Sequence, residues 1–297
     1  MQTIEGLGKV YRAERCLLVE AQFDPRSSTL TYLVWDAATK DAVVVDPVLD
    51  FDANRGAVSD APIEKLASSI AGKGLHVHWI LETHIHADHF SGGDRLRQRI
   101  GAPIAVSSGI RQVDAFFGPM FGLEPAPMAF DRLVSDGESL AAGSLAIDVI
   151  ATPGHTPACV TYGIGGALFT GDTLFMPDYG TGRCDFPGGS AAALWSSVQG
   201  LYRRFPDDTP VYVGHDYQPD GRALAYQTTI GAQKAGNKQL NASTTLDCFA
   251  AWRTERDGTL PLPQLLFQAL QVNLRAGRLP EPIDGVRHLK IPLGQFG

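Results

Sequence analysis

The stretch Thr83–His89 constrains this chain more than any other, because it places three histidines and an aspartate within six consecutive residues. Neutral imidazoles and carboxylates are ligands that zinc, iron and related divalent ions accept. In an extended segment, residues two apart point to the same side, so His84, His86 and Asp88 can face one point while His89 reaches it at a turn. The alternative is a polar loop that merely contains histidines. It explains poorly why three of the chain's 8 histidines lie in this one stretch. The stretch therefore predicts a metal site.

The composition is that of an ordinary globular protein, with 44% hydrophobic and 19% charged residues in a chain of 297. A net charge of −7 argues against a nucleic-acid partner and against binding to anionic membranes. No apolar run approaches the roughly 20 residues that a membrane-spanning helix needs. We therefore expect neither nucleic acid nor a membrane among the partners.

The N-terminal residues 1–6 contain no basic region followed by an apolar run, so no signal peptide is expected. The cysteines are scattered and form no CxxC pair, which argues against a disulfide framework and against a cysteine-type zinc site. Together these features predict a reduced protein of the cytoplasm. Cys184 is expected to act as a small buried hydrophobic residue.

Short runs rich in β-branched and aromatic residues predict strands at 16–22, 30–36 and 42–46. A helix is expected to begin after Asp60, which can cap it, because apolar residues follow at helical spacing. The run 76–81 then reads as a strand that delivers the histidine cluster at its C-terminal end. This first part of the chain alternates strands with helices.

Glycines and prolines at 118–127 predict a loop, and a strand-rich segment is expected at 130–175. The remainder is mainly helical, and a leucine stripe near its end predicts core packing. The stripe consists of Leu262, Leu266, Leu270 and Leu274. We expect a single α/β domain over 1–297, with a mainly helical C-terminal extension from about 221.

Three further metal-ligand candidates, His155, Asp172 and His215, each follow a predicted strand and each adjoin a glycine. Loops at strand ends often contain the reactive groups, and glycine permits close approach of the backbone. Singly each residue fits a structural role, but together they extend the candidate set to seven. Asp46, at the end of a predicted strand, is either a turn residue or a partner that orients a metal-bound histidine.

The ordered set HxHxDH, then a distant His, Asp and His, resembles the metallo-β-lactamase superfamily. This resemblance implies an α/β fold, the αββα sandwich, with two mixed sheets flanked by helices. Within the superfamily the chain is most similar to the persulfide dioxygenases of bacterial type, which are glutathione-dependent sulfur dioxygenases. The residues that resemble this family are 81–89, 153–159, 171–189, 214–217 and 271–277.

The family resemblance implies one Fe(II) per chain, held by His84, His155 and Asp172. The other candidates, which are ligand positions in dinuclear relatives, would then surround the iron without binding it: His86, Asp88, His89 and His215. The sequence leaves both arrangements open, because seven candidate ligands satisfy either one. The implied reaction converts glutathione persulfide and O2 to glutathione and sulfite, which belongs to sulfur metabolism and hydrogen sulfide detoxification. A homodimer is compatible with the resemblance.

The thiol portion of such a substrate has two carboxylates. Arg183 is the best candidate to bind one of them, because a guanidinium fork matches a carboxylate and the family analogy agrees. An ion pair between Arg183 and the nearby Asp185 is the alternative. Tyr217 and Thr156 border the site by sequence and can hydrogen-bond the substrate.

Two other functions compete with the dioxygenase. The first is a thioester hydrolase like glyoxalase II, with two metals and a bridging Asp172. The segment Gly182–Phe186 disfavours it, because aromatic residues typically follow the arginine in glyoxalase II-like chains and no aspartate stands there. The second is a non-catalytic metal-binding or partner-docking module. Replacement of a ligand residue of the superfamily pattern would have favoured it, but all seven ligand positions hold a histidine or an aspartate.

Overall fold

Two six-stranded sheets face each other in a computed structural model, which describes residues 17–123 and 129–294. One cluster of buried side chains fills the space between the sheets and extends to helices on the second sheet. Another cluster joins the outer face of the first sheet to its own helices. This layering confirms the predicted αββα sandwich.

The first sheet is mixed: its first three strands are antiparallel neighbours, and the later ones pair in parallel. Its order is β1 (Leu17–Asp24), β2 (Thr29–Asp36), β3 (Asp41–Val45), β6 (His76–Leu81), β8 (Ile104–Ser107) and β9 (Arg132–Val134). The strands predicted in this part of the chain are confirmed, except that residue 16 lies outside the described residues.

The second sheet is antiparallel apart from one parallel pair, β13 with β14. Its order is β10 (Ser139–Ala142), β11 (Leu145–Ala151), β12 (Val160–Ile164), β13 (Ala167–Phe169), β14 (Pro210–Tyr212) and β15 (Gln227–Thr229). A small third sheet contains β5 (Ala57–Ser59), β4 (Val48–Asp52) and β7 (Phe90–Ser91).

The helices divide between the two outer faces. Those on the first sheet are α1 (Ala61–Lys73), α2 (Gly93–Ile100), α3 (Ile110–Phe121) and α7 (Leu266–Asn273). Those on the second sheet are α4 (Ala191–Arg204), α5 (Ile230–Gly236) and α6 (Leu246–Asp257). Within the described ranges, no helix is both long and apolar enough to cross a bilayer.

Tyr32 on β2 shows how the two sheets are joined. Its ring lies edge-on to Phe169 and Tyr212 of the second sheet, with ring centroids 5.3 and 5.5 Å away. Its hydroxyl donates a hydrogen bond of 2.6 Å to the main-chain oxygen of Val213. A buried phenol needs such a partner, and here the partner lies on the strand end that leads to His215.

The predicted loop at 118–127 is wrong for its first residues, because α3 continues to Phe121 with Pro119 inside its last turns. The helix ends at Gly122, whose φ of 62° is a left-handed conformation that glycine adopts without strain. Residues 124–127 of the predicted loop lie outside the described residues.

The structure also differs from two smaller predictions, the leucine stripe and the helix cap at Asp60. Leu262 is 42% exposed, whereas Leu266, Leu270 and Leu274 are buried, because α7 begins only at Leu266. Asp60 occupies the N-cap position of α1, but its side chain forms no capping hydrogen bond and accepts one from Arg99 at 2.9 Å.

Candidate metal centre

All seven candidate ligands lie on loops that follow strands. The histidine cluster fills the connection between β6 and β7, and His155 follows β11. Asp172 lies in a short 3-10 turn, Gly171–Thr173, after β13, and His215 follows β14. The sandwich therefore gathers residues that are far apart in the chain at one edge of its two sheets.

His84, His155 and Asp172 form one compact group. Each residue offers one ligand atom, and the three atoms lie within 4.8 Å of one another. The Nε2 atoms of His84 and His155 lie 3.9 and 3.5 Å from the Oδ2 atom of Asp172. All three residues are buried. Two imidazoles and a carboxylate thus face one small volume.

Hydrogen bonds fix the orientation of both imidazole rings in this group. The Nδ1 atom of His155 donates to the main-chain oxygen of Arg183 at 2.7 Å. The Nδ1 atom of His84 lies 3.0 Å from the hydroxyl of Thr83, which itself donates to the Oδ2 atom of Asp46 at 2.8 Å. These bonds occupy Nδ1 and leave Nε2 of each ring as the metal-binding atom.

His86, Asp88 and His89 form a second group, again with ligand atoms within 4.8 Å of one another. The Nε2 atom of His215 lies 3.5 Å from Asp88 and 3.3 Å from Asp172, so this histidine connects the two groups. The alternation of an extended strand does not apply here, because the chain turns after β6. His84 and His86 therefore belong to different groups.

Asp46 is a turn residue and also contacts a histidine of the cluster, as a partner that orients a metal ligand would. Its φ of 48° makes it a turn residue. Its carboxylate also accepts hydrogen bonds from the main-chain nitrogen of Thr83 and from Nε2 of His86, at 2.8 and 3.1 Å. Glu82 approaches the same Nε2 atom to 3.4 Å. Sequence reasoning missed Glu82, whose position directly before the motif was the one available signal.

At His84 and Asp88 the electrostatic environment favours the protonation state that binds cations. Burial is the main reason why the pKa of His84 lies well below its ordinary value, and His86 and His155 lower it further. Burial by itself raises the pKa of Asp88, but His89 and His215 outweigh it and hold that pKa well below its ordinary value. A neutral His84 and an ionised Asp88 are the forms that coordinate a metal.

Two buried atoms of the second group support a metal ion there. Nδ1 of His86 and Nε2 of His89 have no hydrogen-bond partner among the residues that the structure describes. Buried polar atoms are normally satisfied, and a metal ion is one of the groups that can satisfy them. The donor set of imidazole nitrogens and carboxylate oxygens fits zinc, iron or manganese better than calcium or magnesium, which prefer all-oxygen sites.

A cavity of about 400 Å³ opens onto the first group. Asp88, His155 and Asp172 are among its lining residues. Its other lining residues include a set of cations and aromatic rings: Arg183, Lys238, Arg253, Arg256, Phe175, Tyr179, Phe186, Tyr217 and Trp252. Sequence reasoning missed three of the four cations, because a lysine or arginine in a helical segment looks like ordinary surface charge.

Of the predicted substrate-binding residues, Arg183 lines the cavity but also forms the ion pair that was the alternative. Its Nε and Nη2 groups donate to the two carboxylate oxygens of Asp185, both at 2.6 Å, and Nη1 donates to the main-chain oxygen of Pro261 at 2.7 Å. Its guanidinium lies over the ring of Phe186, 5.3 Å from the centroid. The side chain is thus held rigidly at the cavity wall.

Tyr217 and Thr156 differ in their placement. Tyr217 lines the cavity, is 42% exposed and stacks on the ring of His215 with an interplanar angle of 8°. Thr156 is buried, and its hydroxyl accepts from the main-chain nitrogen of Ala158 at 3.2 Å. It lines a separate small cavity behind His155 rather than the large one.

The family model for the metallo-beta-lactamase superfamily matches residues 24–215 of the chain. The chain belongs to this superfamily. A probable metallo-hydrolase of Burkholderia pseudomallei is 45% identical over 292 residues, which cover 93% of this chain and 99% of that relative. Glyoxylase B2 of Dictyostelium discoideum is 44% identical over 274 residues, covering 90% of this chain and 94% of that one.

Human mitochondrial persulfide dioxygenase ETHE1 is 32% identical over 263 residues, covering 88% of this chain and 89% of that protein. The crystal structure of ETHE1 from Myxococcus xanthus matches with a TM-score of 0.71 and 32% identity, over 88% of this chain and 100% of that one. The names of these relatives differ, so membership of the metallo-beta-lactamase superfamily leaves the reaction to be argued from the site.

The matched superfamily region contains all seven candidate ligands, but not the whole cavity. Lys238 follows α5, and Arg253 and Arg256 lie on α6, beyond residue 215. The matched region thus contains the candidate metal ligands, and three of the four cations that line the cavity come from the segment after it.

Proposed function

We propose that this protein is a persulfide dioxygenase that holds one Fe(II) with His84, His155 and Asp172. The reaction takes glutathione persulfide, O2 and water to glutathione and sulfite, with two protons released. The outer sulfur atom of the persulfide is oxidised, and O2 is reduced. The enzyme would thus act in sulfur metabolism.

The observation that supports this proposal most is the grouping of two histidines and one aspartate, with both Nε2 atoms turned towards the carboxylate. Two histidines and a carboxylate on one face are the ligand set of non-heme Fe(II) oxygenases, and they leave positions free for other molecules. Bound iron would supply the redox chemistry between sulfur and oxygen, for which zinc has no capacity. The similarity to the ETHE1 proteins agrees with this assignment.

The protein's own residues would orient the substrate. Glutathione has two carboxylates and one ammonium group, and the cavity that opens onto the candidate metal ligands is also lined by four cations. We propose Arg183 as the residue that meets one carboxylate, with Tyr217 as a hydrogen-bonding neighbour. Thr156 is a weaker candidate, because its hydroxyl is engaged locally. The aromatic walls would shield the reacting sulfur from water.

A dinuclear thioester hydrolase is the second candidate, and a specific observation favours it. His86, Asp88 and His89 form a second group beside the first, and a relative named Glyoxylase B2 is 44% identical. In that arrangement Asp172 would contribute to holding both metals, which would supply an activated water for thioester hydrolysis. The pair Arg183 and Asp185 disfavours this candidate, as argued from the sequence.

The metal content of the purified protein distinguishes the dioxygenase from the thioester hydrolase. Protein produced without added zinc should contain about one iron per chain, as a single two-histidine, one-carboxylate site requires. Two tightly bound zinc ions per chain would favour the hydrolase, and a chain that binds no divalent metal would favour a non-catalytic module.

A further inference from the structure

The side chain of Asn273, at the end of α7, lies against the loop that contains the histidine cluster. Its Nδ2 group donates to the main-chain oxygens of His86 and His89, both at 2.8 Å. Its Oδ1 atom accepts from the main-chain nitrogen of Ser91 at 2.7 Å. Asn273 is 2% exposed. One buried amide thus uses both donors and its acceptor on this loop.

The residues after Asn273 also lie against the end of this loop and the start of α2. The main-chain oxygen of Ala276 accepts from the nitrogen of Asp94 at 2.9 Å. At Gly277, whose φ is +85°, an added Cβ would lie only 2.4 Å from the main-chain oxygen of Ser91. The backbone of this segment therefore approaches the loop more closely than a side chain would permit.

The other end of the loop is held by Asp46, whose carboxylate accepts from both the nitrogen and the hydroxyl of Thr83, each at 2.8 Å. The loop from Thr83 to Ser91 is thus fixed at both ends by buried polar side chains. Between β6 and β7, where the candidate ligands of this loop lie, the chain has no regular secondary structure that would hold them. Their placement therefore depends on the anchors, as metal ligands generally depend on the groups behind them.

We propose that Asn273 is a positioning residue of the metal centre, which fixes the backbone from His86 to Ser91 so that the candidate ligands keep their geometry. The residue lies outside the region 24–215 that the superfamily model matches. The inference rests on the metal centre of the proposed function, in which the residues that Asn273 holds surround the iron beside its three ligands. It does not depend on which reaction that centre catalyses.

Asn273→Asp tests this role, because it preserves size and the acceptor for Ser91 but removes both donors to the loop. The expected result is an affinity for cobalt(II) about tenfold weaker, measured by competition with a chelator, since loss of an outer-shell partner typically costs 10- to 100-fold. The visible absorption spectrum of the cobalt(II) protein should also change. Asn273→Ala removes the amide without adding charge and should act in the same direction.

Gln271→Ala is the matched control, since Gln271 is a buried amide on the same helix. Its hydrogen bonds in the described structure run to Phe267 and to Lys290, not to the loop. This variant should lower the melting temperature of the metal-free protein but leave cobalt(II) affinity and spectrum unchanged. The inference is overturned if both Asn273 variants bind cobalt(II) with wild-type affinity and spectrum while losing stability as the control does. A wild-type protein that binds no metal would instead count against the proposed function.

Discussion

The Nδ1 atom of His155 lies 2.7 Å from the main-chain oxygen of Arg183. The same residue therefore orients a candidate metal ligand through its backbone and lines the cavity with its side chain. A substrate that moves Arg183 would act on a bond to His155. The metal centre and the proposed substrate site are thus joined by one short loop, 182–186.

Replacing Asp172 by alanine should abolish both metal binding and oxygen uptake. Asp172 is the one anionic member of the proposed triad, and its carboxylate lies within 4 Å of His84, His155 and His215. Metal content by mass spectrometry and oxygen uptake with an electrode check this together. Asp148→Ala, at an exposed position on β11, is the control and should retain both. Full iron content in the Asp172 variant would mean that the carboxylate is misassigned.

Replacing Arg183 by alanine should mainly raise KM for glutathione persulfide. Loss of a hydrogen bond to a charged group costs about 1.5–3 kcal/mol, which corresponds to a KM about 10- to 150-fold higher. Steady-state oxygen uptake at several substrate concentrations measures it. Arg203→Ala, at the exposed end of α4, should leave KM unchanged. If Arg183→Ala also leaves KM unchanged, the arginine serves the ion pair with Asp185 alone.

The three cysteines within the described ranges should react with iodoacetamide in an order set by burial. Burial raises the pKa of Cys159 to about 12 and also raises the pKa of Cys184, whereas Cys248 is exposed. The thiolate is the reactive form, so at pH 8 a raised pKa keeps a thiol protonated and unreactive. Peptide mass spectrometry should find Cys248 modified first, and the two buried cysteines only after unfolding. Rapid labelling of Cys159 in the folded protein would contradict its burial.

The seven candidate ligands could be found from the sequence because metal binding restricts residue types and because each one follows a strand. Their division into two groups could not, since it depends on where the chain turns after β6. The expectation that His84, His86 and Asp88 alternate as in a strand assumed a regular geometry that the loop lacks. Likewise the glycines and prolines at 118–127 predicted a loop, but α3 continues to Phe121 before Gly122 ends it.

Other residues could not be found because their partners are remote in the chain. Asn273 bonds to the main chain of His86, 187 residues earlier, and a single asparagine in a helix gives no sign of that. Lys238 and Arg256 line the cavity only because α5 and α6 pack beside the metal edge. Long-range pairing of polar groups is set by the tertiary fold, and local patterns do not encode it.

Replacing Tyr32 by phenylalanine should destabilise the fold without altering metal content. The buried hydroxyl donates to the oxygen of Val213 at 2.6 Å, and its removal leaves that oxygen with an unsatisfied acceptor position. The expected loss in the free energy of unfolding is about 1–3 kcal/mol. Urea unfolding followed by fluorescence measures it. Wild-type stability in this variant would show that the bond between the sheets contributes little.

The most direct measurement is oxygen consumption with glutathione persulfide, run beside hydrolysis of S-lactoylglutathione on the same iron-loaded sample. A single Fe(II) held by His84, His155 and Asp172 predicts one O2 consumed for each sulfite formed, with negligible thioester hydrolysis. Rapid hydrolysis of S-lactoylglutathione without oxygen consumption would contradict it.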